Sequence, residues 1–245
     1  MTNSEFELDE FDSGILGKPV AKARIHDFNV NLVEVDAFCE ERNVAVIFLF
    51  IQHTRFAISG LFEHGFQYLT SKVKYTKDSQ QSEASEIPSV DGIKLTGFDS
   101  KYFPQLLELV YVVGEKSRFY LDSNFTDKWR NAYREWAVNA IGGHAQKIIL
   151  AISETDESVR GFIFLKQDKK RKSVSIDLIA VRPDSQGRGI GTVLLAAAED
   201  WAISEGMQTL EVVTEPENIH SQRIYQSRGF KISDHTLVYS KSYGK

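Results

Sequence analysis

The densest chemical signal in the chain is the run Ile179-Ala-Val-Arg-Pro-Asp-Ser-Gln-Gly-Arg-Gly-Ile-Gly-Thr192, followed by Val193-Leu-Leu-Ala-Ala-Ala-Glu-Asp200. An apolar stretch ends at Val181, Pro183 turns the chain, and Gly187, Gly189 and Gly191 open a long apolar helix. This order builds an anion cradle. Glycines let the backbone approach a phosphate with no Cβ in the way, and the free N–H groups and positive dipole end of the helix face the negative charge. Arg188 adds a full charge beside it. Two common phosphate loops fail on spacing. A P-loop needs a lysine directly before its Ser or Thr, but Gly191 precedes Thr192. A dinucleotide fingerprint needs a further glycine at 192 or 194, where Thr192 and Leu194 stand. Just upstream, a period of two puts Asp177 on one strand face with Ile179 and Val181, where its carboxylate can act as a base or hold a water that does. Glu211, on the next strand, competes for that role.

The pattern Gln186-x-x-Gly189-x-Gly191 after Val181-Arg182-Pro183 resembles the pyrophosphate loop of the GNAT superfamily of acyl-coenzyme A-dependent N-acyltransferases. Asn218-x-x-Ser221-x-x-x-Tyr225, followed by Gly229-Phe230, resembles a second segment of that superfamily. The resemblance runs from about Asp91 to the end of the chain. It implies a GNAT fold, a mixed sheet of the α/β class, with acetyl-CoA as cofactor. It also implies that the backbone of Ile179, Ala180 and Val181 polarises the thioester carbonyl, and that Gln186, Gly187, Arg188, Gly189, Ile190, Gly191 and Thr192 hold the pyrophosphate. Asn218 is then expected to bind the pantetheine arm, Ser221 to begin a helix near the cofactor, and Tyr225 to lie near the thioester sulfur. A phenol with an ordinary pKa of about 10 can protonate a leaving thiolate of pKa about 8.5. The alternative for Tyr225 is a helix-face aromatic in the core.

Three further features, Leu8-Asp-Glu-Phe-Asp-Ser-Gly-Ile-Leu-Gly17, Ser117-Arg118-Phe119 and Trp129-Arg-x-x-Tyr133-Arg-x-Trp136, resemble a branch of the superfamily that acetylates nucleotide-linked amino sugars. That branch implies an acceptor in which the 4-amino group of a TDP-linked 4-amino-4,6-dideoxy sugar takes the acetyl group for surface-polysaccharide synthesis. Arg118 is a candidate clamp for the nucleotide diphosphate, with a solvated surface arginine as the alternative. Trp129 and Tyr133, with Trp136, fall on one helix face and either stack on the acceptor or pack the core.

These residues require elements to position them. In the first part of the chain, the spacing predicts a helix over Asn31 to Asn43, a strand over Val44 to Ile51, a helix from about Arg55 to His64 and a strand over Phe66 to Thr76. In the second part it predicts a helix over Thr126 to Ile141 capped by Thr126. An antiparallel meander over Ile148–Ser153, Gly161–Leu165 and Val174–Val181 follows. A helix over Thr192 to Ser204 stopped by Gly206, a strand over Thr209 to Thr214, a helix over Ile219 to Arg228 and a last strand from Phe230 complete the order. The stretch 77–90 is serine-rich and acidic with no apolar period, which predicts a linker between an N-terminal α/β domain over 1–76 and a GNAT domain over 91–245. Gly60-Leu-Phe-Glu-His-Gly65-Phe66 lines up with Ile224-Tyr-Gln-Ser-Arg-Gly229-Phe230, so the smaller segment reads either as a reduced half-copy or as a common way of ending a helix. Leu61 then stands where Tyr225 stands.

The chain has 245 residues, with 29 Lys plus Arg against 34 Asp plus Glu, a net charge of −5 that argues against a nucleic-acid partner. The longest apolar run, Val44 to Ile51, is eight residues, against about 20 for a membrane span. Cys39 is the single cysteine and lies away from the glycine loop, a poor nucleophile candidate. With no signal-peptide pattern at Met1 to Gly14, it suggests a reducing, cytoplasmic setting. The six histidines show no metal-ligand spacing, so no metal is expected. The expected partner is a small-molecule amine, with a homodimer among the assemblies considered. A protein or peptide N-acetyltransferase and a catalytically silent CoA-binding module are the remaining alternatives.

Overall fold

A computed structural model describes residues 5–25, 31–52, 58–79, 87–115 and 117–243. In chain order the elements begin β1 (Glu5–Leu8), α1 (Glu10–Leu16), β2 (Val20–Ile25), α2 (Leu32–Glu41), β3 (Val46–Gln52), α3 (Ile58–Glu63) and β4 (Gln67–Asp78). They continue with β5 (Ile93–Gly97), α4 (Phe103–Gly114), α5 (Arg118–Leu121), α6 (Trp129–Asn139), β6 (Lys147–Ser153) and β7 (Val159–Asp168). The last are β8 (Ser173–Val181), α7 (Ile190–Ser204), β9 (Thr209–Thr214), α8 (Ile219–Ser227) and β10 (Lys231–Ser242). The chain divides into two compact units: Met1–Val73 with Lys116–Ala132 and Asp234–Lys245, and Lys74–Glu115 with Tyr133–Ser233.

In the first unit β2 runs antiparallel to β1 and parallel to β3, which pairs antiparallel with β10. A parallel pair needs a crossover, and α2 supplies it. Its start is set by Asn31, whose side chain accepts from Val33 N–H at 3.2 Å. Ala21, Ala23, Ile25, Ile47, Leu49 and Ile51 close a core with Val35, Cys39, Leu61, Phe66 and Tyr239. Of the helix expected from Arg55 to His64, residues 53–57 lie outside the described residues, and the described part is Ile58–Glu63.

In the second unit β5, β6, β7 and β8 form an antiparallel meander, β9 lies parallel beside β8, and β4 lies beyond β9. The strand Thr209–Thr214 stands where its spacing put it, and the meander strands are present with the middle one longer, Val159–Asp168 instead of Gly161–Leu165. The helix after the glycine loop starts at Ile190, two residues before the expected Thr192. Helix α6 starts at Trp129, three residues later than expected, because residues 122–128 form turns of their own. Phe125 N–H bonds to Asp122 C=O at 2.9 Å and Lys128 N–H to Phe125 C=O at 2.7 Å. Thr126 is therefore no helix cap; its hydroxyl donates to the Asp122 carbonyl at 3.2 Å. Of the expected linker, residues 80–86 lie outside the described residues, and residues 77 and 78 continue β4.

The two segments end their helices alike. Gly65 and Gly229 take φ of 79° and 83°, and the following N–H groups, of Phe66 and Phe230, bond to the carbonyls of Leu61 and Tyr225 at 2.9 and 3.0 Å. Both also follow a strand, helix, parallel strand, helix, strand order, as β2-α2-β3-α3-β4 and β8-α7-β9-α8-β10.

Candidate active site

Two irregularities in β8 open the site. Phe164 pairs with Leu178 but Leu165 with Ile176, so Asp177 is the extra residue of a β-bulge. On the other side, the ladder to β9 runs from Ser173 opposite Thr209 to Ile176 opposite Val212 and stops there, although β8 continues to Val181 and β9 to Thr214. The edge of Leu178 to Val181 toward β9 thus has no strand partner among the described residues. An extended ligand carrying amides can add to such an edge as a strand does. Ile179, Ala180 and Val181 all lie on it. Period-two reading places Asp177 in the strand but cannot show a bulge or a parting, because both depend on which residues pair across the sheet.

The glycine loop follows. Gly187 and Gly189 take φ of 74° and 86°, where a side chain is strained, and a Cβ on Gly189 would sit 3.3 Å from Val90 Cγ2. Gly189 is the N-cap of α7 and leaves the helix start without a side-chain cap. The first intrahelical bond runs from Val193 N–H to Gly189 C=O at 3.0 Å, so the amides of Ile190, Gly191 and Thr192 have no acceptor within the helix. Arg188, two residues before the first of them, is exposed. Gln186 Nε2 donates to the Val181 carbonyl at 3.2 Å and closes the loop onto the end of β8. The one carboxylate in the turn, Asp184, is held below its ordinary value, first by the Ser185 hydroxyl and then by Arg182, 3.2 Å away, and Arg160. Those two cations offset its charge.

Asp177 keeps 16% of its side chain exposed. Burial pushes its carboxyl above the usual aspartate value, while the Ser175 hydroxyl, donating at 2.9 Å, pulls the other way, with Lys166 and His144. His144 Nε2 lies 3.9 Å from Asp177 Oδ2, and Lys166 Nζ lies 3.0 Å from the same nitrogen. Glu211 is engaged differently, 2.7 Å from Lys74 Nζ and 3.4 Å from Arg171.

Helix α8 carries the remaining groups. Asn218 caps it, accepting from Ser221 N–H at 3.4 Å, and its amide donates to Thr214 Oγ1 at 3.2 Å, tying the helix start to the end of β9. Tyr225 is 3% exposed. Burial pushes its phenol far above the ordinary tyrosine value, and a hydrogen bond with the Ser221 side chain pulls it back in part. The phenol therefore keeps its proton at any ordinary pH. Its ring lies 5.7 Å from that of Tyr75 and 5.8 Å from that of Phe230. Tyr75, on β4, was not among the candidates from spacing; the strand pattern marked it only as one alternating aromatic. Glu199 of α7 was missed as well: it is 8% exposed, paired with Lys77 of β4 at 2.9 Å and with Arg228 at 2.5 Å. A glutamate inside an otherwise apolar helix face was its only signal.

The other sequence candidates have different surroundings. Arg118, in the first unit and 13% exposed, is 2.6 Å from the buried carboxylate of Asp12. Its guanidinium lies 4.1 and 4.5 Å from the rings of Phe119 and Phe48. Trp129, also in the first unit, packs edge to face with Tyr120 and is buried. Tyr133 falls in the second unit, buried, its ring 5.7 Å from that of Trp136. Cys39 is buried in the first unit, and burial pushes its thiol up to about 11, which keeps it from the thiolate form a nucleophile needs.

Residues 111–230 match the acetyltransferase (GNAT) family, and this part of the chain is a GNAT acetyltransferase domain. The chain is 29% identical over 92 residues to aminoglycoside N(6')-acetyltransferase type 1 of Salmonella typhimurium, covering 38% of this chain and 63% of that protein. It is 27% identical over 129 residues to dTDP-fucosamine acetyltransferase of Escherichia coli, covering 53% and 54% of the two chains. The match therefore spans less than two thirds of either relative. The fold is similar to that of a tandem GNAT protein from the clavulanic acid biosynthesis pathway, with a TM-score of 0.67 and 12% identity over 94% of this chain and 77% of that one. Among the described residues, no helix is long and apolar enough to cross a membrane.

Proposed function

We propose that the chain is an acetyl-CoA-dependent N-acetyltransferase acting on a small amine, and that the amine is the 4-amino group of a nucleotide-linked 4-amino-4,6-dideoxy sugar. The observation that carries the acetyltransferase reading is the pairing of an uncapped helix start behind Gly187 and Gly189 with the unpartnered edge of β8 just before it. A diphosphate followed by an extended amide arm matches that order of groups, and φ of 86° at Gly189 is a backbone conformation that glycine adopts without strain. Acetyl-CoA, when bound, supplies an acyl group activated as a thioester.

The chain's own residues divide the work as follows. The amides from Gln186 to Thr192 and the Arg188 guanidinium hold the pyrophosphate, Asn218 borders the arm, and backbone N–H groups from Ile179 to Val181 orient the carbonyl. Asp177 takes the proton that the amine must lose to attack. Its raised affinity for a proton suits a base that works closer to neutrality than an ordinary aspartate. Tyr225 gives its phenolic proton to the departing sulfur; burial keeps the phenol protonated but also weakens it as an acid, so the transfer relies on the same desolvation raising the proton affinity of the thiolate. Arg118 we assign to the Asp12 ion pair, and Trp129 and Tyr133 to packing, rather than to acceptor contact.

The sugar acceptor is supported by the relative named dTDP-fucosamine acetyltransferase. A second reading, an aminoglycoside-like amine, is supported by the relative named aminoglycoside N(6')-acetyltransferase. Release of CoA from acetyl-CoA, followed with a thiol reagent, decides between them. The acceptors to compare are dTDP-4-amino-4,6-dideoxygalactose, kanamycin and a lysine peptide. A preference of at least about tenfold in kcat/KM for the nucleotide sugar is expected. A preference for kanamycin replaces the acceptor, and no turnover with any of the three overturns the enzymatic reading.

A further inference from the structure

We infer that strand β4, which lies before the residues matched by the GNAT family, is a working part of the active site, and that Tyr75 on it is a positioning residue for Tyr225. The inference rests on the acid role proposed for Tyr225.

Three residues of β4, Lys74, Tyr75 and Lys77, reach three elements of the site. Lys74 Nζ is 2.7 Å from Glu211 Oε2 on β9. Lys77 Nζ is 2.9 Å from Glu199 Oε2 on α7, the helix whose start is the anion cradle. Tyr75 points to α8: its hydroxyl donates to Gln222 Oε1 at 2.9 Å, and Gln226 Nε2 approaches it at 3.5 Å. Gln222 and Gln226 stand three residues before and one after Tyr225 on the same helix. Gln222 is fixed in turn, its Nε2 donating to the Pro216 carbonyl at 2.5 Å. The Tyr75 ring, fully buried, lies against the Tyr225 ring with centroids 5.7 Å apart.

The consequence is geometric. A general acid acts only if its proton lies on the line to the departing atom, and an error near 1 Å costs heavily. Tyr225 sits on a helix of nine residues, too short to hold its place without tertiary contacts. Asn218 fixes the start of that helix and Gly229 ends it, whereas the turn that carries Tyr225 is fixed sideways by Tyr75 through Gln222 and the ring contact. A GNAT domain cut from the chain at residue 91 lacks that support and lacks the partners of Glu199 and Glu211 on β4.

The test compares Tyr75→Phe, Tyr225→Phe and the double variant in the full chain, with acetyl-CoA and the best acceptor of the three above. Tyr75→Phe removes one hydroxyl and keeps the ring, so the fold and the CoA dissociation constant should stay as in the parent protein. Its kcat should fall about tenfold, the scale of one well-placed hydrogen bond, with KM for acetyl-CoA within about twofold. In the Tyr225→Phe background the same change should lower kcat no further, because the proton donor it positions is gone. Amide exchange across residues 222–228 should quicken in Tyr75→Phe, while that of 190–200 stays unchanged. If Tyr225→Phe keeps full turnover, the acid reading fails and this inference with it. If Tyr225→Phe is slow but Tyr75→Phe retains kcat, the acid reading stands and the inference is overturned. It is also overturned if Tyr75→Phe costs the same factor in both backgrounds, or if its loss of kcat only tracks a loss of folded protein.

Discussion

Arg228 grips Glu199 with both ends of its fork, Nε to Oε1 at 3.2 Å and Nη2 to Oε2 at 2.5 Å. The pair joins α7, whose start is the proposed anion cradle, to the residue that ends α8, the helix of Tyr225, and Lys77 adds a second cation to the same carboxylate. An ion pair of this kind costs much to desolvate and more to break, since each lost partner leaves a charge behind. Replacing Glu199 by Ala strands two cations that are 16% and 19% exposed. A loss of about 3 kcal/mol is expected, the low end of the range because the cations keep some water. At this chain length that corresponds to a fall in Tm of about 6–12 °C. Calorimetry of the variant measures it, and a fall below about 2 °C would place the joint elsewhere.

The cradle makes a prediction about affinity. Gly189→Asp sets a side chain where φ is 86° and a negative charge where the phosphate should lie. CoA affinity should drop by about 100-fold or more in isothermal titration, from lost approach and like-charge repulsion together. Arg188→Ala, which leaves the backbone free, should weaken CoA by about 3–10-fold and more at low salt than at high. Unchanged binding in Gly189→Asp with a normal Tm would remove the loop from the site.

For Tyr225 the split between kcat and KM matters. Tyr225→Phe deletes the proton donor and little volume, so kcat should fall by about 10²–10⁴-fold while CoA affinity stays within a small factor. Because the donor acts only as sulfur departs, KM for acetyl-CoA should hardly move. Steady-state kinetics decide this directly.

Asp177 predicts opposite effects on activity and stability. Burial raises its affinity for a proton in the folded chain. Folding is therefore favoured by protonation of Asp177, and that contribution is lost as pH rises from the ordinary aspartate range through the raised value. Asp177→Asn carries no such charge. Its Tm should match the parent protein at low pH and exceed it at pH 8, while its kcat falls and the acidic limb of the parent's kcat/KM profile disappears. A variant that is less stable than the parent at pH 8 would mean that the carboxylate is held by a stronger partner than Ser175, Lys166 and His144.

Much of this was legible along the chain. Gly187, Gly189 and Gly191 between an apolar strand and an apolar helix determine a backbone cradle with no help from elsewhere, because φ preference and helix-start amides are local properties. The same holds for Gly65 and Gly229 as helix stops, each satisfied within a few residues. The spacing of Asn218, Ser221 and Tyr225 also lies within one helix and its cap.

Pairing and burial were decided only by the tertiary structure, because both depend on which distant segments meet. The bulge at Asp177 and the parting of β8 from β9 after Ile176 exist only as a register between strands. Arg118 reads from spacing as a candidate clamp or a surface arginine. The fold sets Asp12, about a hundred residues earlier in the chain, against its guanidinium, and the attraction of two poorly hydrated charges holds the pair together. Strand β4 reads as the end of the first segment, and the division of the chain into compact units puts Lys74 to Asp78 with the residues of the GNAT domain. Nothing in the alternation of Phe66 to Thr76 states which strand it will lie beside: a period of two specifies a strand's faces, while its neighbour is chosen by hydrogen bonds and side-chain contacts to sequence far away.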